Sequence, residues 1–262
     1  MSQNYIGGGD GHSFPVTSKE LAGQVALVTG AGRNIGRAIA LELAAHGAHV
    51  GVNVRNNEQE ALDVVKAIEE LGGHAVPVVG DIGDAERVER VVSITRNELG
   101  PVTLLICNAG MRATTSALDC TVDEWQKLID VNLSATFHFI RAVIEDMKKA
   151  RFGRIISITG GIAHYSTPSD HGSHAHLAAT KAAAEVLLRS LAPDVAKYGI
   201  TCNAVAPGPI ETKRPTPVEL PATAAGRAGT PEDIAYWCRV LCSPRASYVT
   251  GQAILVDGGG MI

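Results

Sequence analysis

Residues 25–28, Val-Ala-Leu-Val, form a short apolar run that stops at Thr29-Gly30, with Gly32 and Gly36 following closely. A four-residue apolar run bounded by turn residues reads as a buried strand. Residues 37–45, Arg-Ala-Ile-Ala-Leu-Glu-Leu-Ala-Ala, then carry helical periodicity. Strand, glycine turn and helix in that order are the context in which a glycine-rich loop signals dinucleotide binding. Glycine lets the backbone approach a pyrophosphate, and the helix N-terminus offers it unpaired N–H groups.

The same alternation continues. Strands are expected at 49–54, 75–79, 103–107, 154–158, 201–205 and 253–256, and helices at 58–71, 84–99, 122–149, 176–198 and 231–241. The 122–149 helix is expected to break or bend near Asn132. Strands alternating with helices imply a doubly wound parallel sheet of about seven strands in a three-layer α/β/α sandwich, with ligands at the strands' C-terminal ends. A chain of 262 residues suits one such domain, taken as 21–262, after a flexible arm over 1–20 that contains Gly7-Gly-Gly9.

Net charge is −4 and no long basic block exists, which argues against nucleic acid and anionic membrane as partners. No apolar run approaches the ~20 residues of a membrane span. The N-terminus lacks the regions of a signal peptide. The five cysteines lack Cys-x-x-Cys spacing and read as reduced thiols of a cytoplasmic protein.

In NAD-binding units an acidic residue about 20 positions after the glycines takes the ribose 2′-hydroxyl. Here that strand end reads Asn53-Val-Arg-Asn56 and holds no carboxylate. Arg55, with Arg33 in the glycine loop, suits a 2′-phosphate. NADP(H) is therefore the preferred cofactor and NAD(H) the alternative.

Several motifs together resemble the short-chain dehydrogenase/reductase family. They are residues 29–36 (Thr-Gly-Ala-Gly-Arg-Asn-Ile-Gly), Asp81, residues 108–110 (Asn-Ala-Gly), Asn132, Lys181, Pro207-Gly208, residues 226–235 and the tail from Gly251 to Gly259. The resemblance implies a Rossmann-type fold and a small-molecule carbonyl or secondary alcohol as substrate. It also implies a homotetramer or homodimer. It assigns the phosphates to Thr29, Gly30, Arg33, Asn34, Ile35 and Gly36, and the adenine border to Asp81 and Ile82. Asn108, Ala109 and Gly110 would line the ribose, with Asn53 and Asn56 near it. Pro207, Gly208, Ile210 and Thr212 would meet the nicotinamide end, and Lys181 its ribose. Asn34 stands where many members have glycine, and asparagine tolerates left-handed backbone better than most residues.

The catalytic segment departs from the family's pattern. A tyrosine acting as acid/base is expected four residues before the lysine, but position 177 is Leu. A serine is expected after the fifth strand, but position 160 is Gly, with Thr159 beside it. Asn132 and Lys181 remain. The intervening loop carries His164, Tyr165, His171, His174 and His176. Imidazole is the commonest proton-transfer group near neutral pH. His174, about two helical turns before Lys181, or Lys181 itself through water is the candidate donor, with Thr159 the candidate stand-in for the serine. His-x-His with a third histidine resembles zinc chemistry, but no cysteine is close in sequence and Asp170 is the loop's only carboxylate, so no metal is expected. The stretch after Thr212 holds Pro215, Pro217 and Pro221, which predicts an extended lid. Three readings stay open: an NADP(H)-dependent oxidoreductase with a non-standard proton donor, a non-redox enzyme using loop histidines, and a silent nucleotide-binding protein.

Overall fold

The structure is a computed structural model and describes residues 5–7, 13–15, 19–113, 115–165, 174–212 and 223–260. His171, Asp170 and the proline-rich stretch holding Pro215, Pro217 and Pro221 lie outside the described residues.

Seven strands make the main sheet: β3 (Val25–Val28), β4 (His49–Val54), β5 (His74–Val79), β6 (Leu104–Cys107), β7 (Gly153–Ile158), β8 (Ile200–Pro207) and β9 (Ala253–Val256). Their spatial order is β5-β4-β3-β6-β7-β8-β9, and every pairing is parallel. The order reverses between β3 and β6, the switch point at which such sheets open a ligand crevice.

Alternation along each strand feeds two faces. Ala26 and Val28 of β3 join a core with α1 (Asn34–Ala45), α2 (Glu58–Glu70) and α7 (Pro231–Cys242) through Ile39, Ile68 and Ile234. Val25 and Leu27 point the other way, into a core with α3 (Ala85–Leu99), α5 (Ala135–Ala150) and α6 (Ala175–Ala196) through Val91, Phe139 and Leu188. The expected three-layer Rossmann-like architecture is therefore present. No helix among the described residues is long and apolar enough to cross a membrane.

Three differences from the sequence reading matter. Within the expected flexible arm, β1 (Tyr5–Gly7) pairs antiparallel with β2 (Ser13–Pro15), too short a pair for periodicity to reveal. The first helix begins at Asn34 rather than Arg37, because its opening residues carry no apolar pattern. The bend near Asn132 is one π-helical turn, Asp130–Ser134, between α4 (Val122–Ile129) and α5. Such a turn re-aims one side chain without ending the helix.

Candidate active site

The glycine loop is shaped by close approach. Asn34 takes φ 50, the left-handed backbone its side chain makes tolerable. A Cβ on Gly36 would collide with the Gly30 carbonyl and sit 2.5 Å from the Asn108 amide nitrogen. A Cβ on Gly30 would lie 3.0 Å from Ala109 Cα. Arg33, the N-cap of α1, is extended and gives no side-chain hydrogen bond to the first turn, and a helix N-terminus is a ready anion site. A phosphate fits this cradle, which makes the site compatible with a dinucleotide.

Asn108 stitches the cradle to the next strand end. Its amide donates to Thr29 O at 2.9 Å and Gly30 O at 3.0 Å. The Asn108 and Ala109 N–H groups donate to Thr29 Oγ1 at 3.0 and 2.9 Å. Asn53 is buried, and its amide donates to Val78 O and Gly80 O, holding β4 to β5. That gives it a scaffold role between the two strand ends. Arg33, Arg55 and Asn56 are exposed at the rim. Asp81 pairs with Arg87 at 3.2 Å and accepts the Gly83 N–H, while Ile82 is buried beside it. At the other end, Gly208 N–H donates to Val256 O, and Ile210 bridges Gly229 just before Thr212.

The catalytic end gathers around β7. Lys181 Nζ donates to Ile158 O at 3.0 Å. A Cβ on Gly110 would lie 3.2 Å from Lys181 Nζ and 3.3 Å from Asn132 Oδ1, so all three share one small space. The π-turn points Asn132 here. Its Oδ1 accepts the Met111 N–H at 2.8 Å, and its Nδ2 donates to Met111 O and Thr180 Oγ1.

Burial drives the Lys181 ammonium down to about 8, with Cys107 and Glu185 partly opposing the fall. An unfolded lysine keeps the ordinary value of 10.5. The desolvation penalty is therefore complete below pH 8, fades as pH rises and is absent above 10.5. In the apo protein, Lys181→Met removes this dependence. The stability difference between variant and parent is expected to change by about 3 kcal/mol between those limits, read by urea denaturation. A pH-independent difference would show that the ammonium is not desolvated.

The residue four positions after Lys181 is one the sequence reading missed. Glu185 is 9% exposed. It accepts the Thr159 hydroxyl at 2.6 Å, and His164 Nε2 lies 3.1 Å from its carboxylate. The signal was present as one carboxylate in the alanine-rich run 182–187, one turn beyond Lys181. Thr159 is 7% exposed, and its hydroxyl donates to Glu185. His174 is the N-cap of α6, its ring 6.4 Å from that of His176, and among the described loop histidines His164 pairs with a carboxylate.

Gly160 has φ 149 and ψ 151, a region open essentially to glycine alone. A serine there would be strained. Leu177 lies in the first turn of α6, its carbonyl accepting the Thr180 hydroxyl. A surface cleft of about 450 Å³ between α7 and the end of β9 includes Ile210, Tyr236 and Asp257 but none of the Lys181, Asn132 and Glu185 set.

Residues 30–260 match the family described as enoyl-(acyl carrier protein) reductase. The chain is 37% identical over 244 residues to the 3-oxoacyl-(acyl-carrier-protein) reductase of Synechocystis sp., across 91% of this chain and 97% of that protein. Among solved structures, it superposes with a TM-score of 0.87 on a 7α-hydroxysteroid dehydrogenase complexed with NADH and 7-oxo glycochenodeoxycholic acid. That pair shares 33% identity over 94% of this chain and 98% of the other. A blue fluorescent protein from a metagenomic library, in complex with NADPH, matches at TM-score 0.83 and 31% identity, over 93% of this chain and all of that one. With the parallel sheet, the glycine cradle and the Asn132–Lys181 pair in place, this chain belongs to the short-chain dehydrogenase/reductase family.

Proposed function

We propose that this protein is an NADP(H)-dependent oxidoreductase acting on a carbonyl or secondary alcohol, with the His164–Glu185 pair as its acid/base in place of a tyrosine. The observation that carries the reading is the His164 imidazole, in the loop after β7, held by the Glu185 carboxylate one helical turn beyond Lys181 on α6. The bound cofactor supplies or accepts hydride. Glu185 fixes His164 as the Nε2–H tautomer, which leaves Nδ1 as the atom that gives or takes the substrate proton. Lys181 would meet the nicotinamide ribose, and Asn132 holds the segment after β6 against α6.

Leu177 and Gly160 support the substitution of roles, since neither can move a proton. The test is oxidation of NADPH over a panel of 3-oxoacyl thioesters, oxo-steroids and simple ketones, where turnover of at least one class is expected. Tight cofactor binding with no turnover across the panel would remove the redox reading.

Arg55 and Arg33 at the rim support NADP(H). One observation favours NAD(H): Glu60 Oε2 lies 2.9 Å from where a Cβ on Gly32 would stand, which brings a carboxylate to the cradle. Arg55→Asp is expected to lower the NADP-over-NAD preference in kcat/KM by at least about tenfold, the worth of one lost charge-assisted contact of about 1.5–3 kcal/mol. An unchanged ratio would assign the selectivity to Glu60 instead.

A further inference from the structure

The N-terminal ends of α4 and α6 meet outside the acid/base pair, and three potential metal ligands converge there. The ligand atoms of Cys120, Glu124 and His176 all lie within 4.8 Å of one another. The sequence reading found no cysteine near the loop histidines. The fold brings one in from more than fifty residues upstream.

His176 supplies the independent observation. It is 4% exposed, and neither ring nitrogen has a hydrogen-bond partner among the described residues. A buried imidazole left in that state costs free energy on both nitrogens. A metal bond on one nitrogen would relieve that cost in part. The Glu124 carboxylate is already held. The Thr115 hydroxyl donates to Glu124 Oε2 at 2.7 Å, the kind of outer hydrogen bond that orients a ligating carboxylate. The Cys120 thiol donates only a weak hydrogen bond, to Thr121 O at 3.4 Å, which a metal–sulfur bond would replace.

We infer that Cys120, Glu124 and His176 form a binding site for a zinc-class divalent cation that ties α4 to α6. Thiolate, imidazole and carboxylate are the ligand types such ions take, with bonds of about 2.0–2.3 Å. Ligand atoms in a tetrahedral site stand roughly 3.5 Å apart, so closure needs only small side-chain rotations. Binding releases the Cys120 thiol proton to solvent. The dication is then matched by one thiolate and one carboxylate, with His176 neutral and a fourth position for water. This inference does not depend on the redox reading, because the three residues are separate from His164, Glu185 and Lys181.

The test is anaerobic titration of the reduced, chelator-stripped full-length protein with Co2+, followed by displacement with Zn2+. One equivalent is expected to raise a thiolate-to-cobalt charge-transfer band and tetrahedral d–d bands, and Zn2+ is expected to abolish both. Cys120→Ser should remove the charge-transfer band. His176→Ala and Glu124→Gln should each weaken binding at least tenfold, with folding checked by circular dichroism. Zn2+ affinity of the parent protein, measured by competition with a chromogenic chelator, keeps the test decisive if a variant fails to fold. No charge-transfer band in the parent, or no competition for Zn2+, overturns the proposal. So does a band that persists in folded Cys120→Ser.

Discussion

His164→Ala is expected to lower kcat by about 10²–10⁴-fold, the usual worth of a positioned acid/base, while NADPH affinity stays within about twofold. Glu185→Gln should cause a smaller loss of the same kind, because it leaves the imidazole present but weakens the hold on its tautomer. Imidazole added to the medium should restore part of the kcat lost in His164→Ala. Glu185 sits between Thr159 and His164, so a packing role alone could explain a fall in activity. A packing loss would be restored equally by a ring of similar size with no basic nitrogen, such as furan. If furan restores as much as imidazole, or neither restores any, the pair is structural and the proton donor lies elsewhere.

The second large effect concerns the cradle. Gly36→Ala places a Cβ against the Gly30 carbonyl and the Asn108 amide, both backbone-tethered groups with little room to move. Overpacking of this sort costs about 1–3 kcal/mol. Relief would require breaking the Asn108 hydrogen bonds to Thr29 and Gly30. The expected result is a lower urea midpoint and at least a tenfold loss of NADPH affinity by fluorescence titration. A variant with parental affinity would mean that the phosphates bind away from the helix N-terminus. Gly32→Ala meets the flexible Glu60 side chain as well as Val54, and should cost less.

Most of the fold was legible in the sequence, because buried parallel strands carry unbroken apolar runs and glycines mark their ends. Val25–Val28 and His49–Val54 match their expected bounds. The bend at Asn132 was also legible, although periodicity could not say that it is a π-turn. The cofactor cradle was legible because its chemistry is local, from Thr29 to Gly36. Asn34 adopts the left-handed backbone that its side chain permits.

The catalytic end was harder to read, because its partners are distant in sequence. Thr159 is the sequence's candidate for the serine's place, and its partner Glu185 lies twenty-six residues later, where the Thr159 hydroxyl donates to it. His174 was favoured on helical spacing from Lys181, yet α6 begins only at Ala175, and the carboxylate of that helix reaches back to His164. Gly160 read as a missing serine. Its φ of 149 makes it instead a backbone position that a serine would strain. Restoring serine and tyrosine together at 160 and 177 therefore faces a conformational penalty as well as a chemical one.

The central claim is that hydride passes between the cofactor and a carbonyl carbon while His164 handles the proton. The most direct measurement is single turnover of the holoenzyme with NADPH carrying deuterium on the transferred position, using whichever carbonyl the panel identifies and mass spectrometry of the product. The account predicts one deuterium at the new carbinol carbon in the parent, and the same label, formed more slowly, in His164→Ala. Product formed without deuterium, with the cofactor still reduced, would contradict it and assign the His164–Glu185 pair to non-redox chemistry.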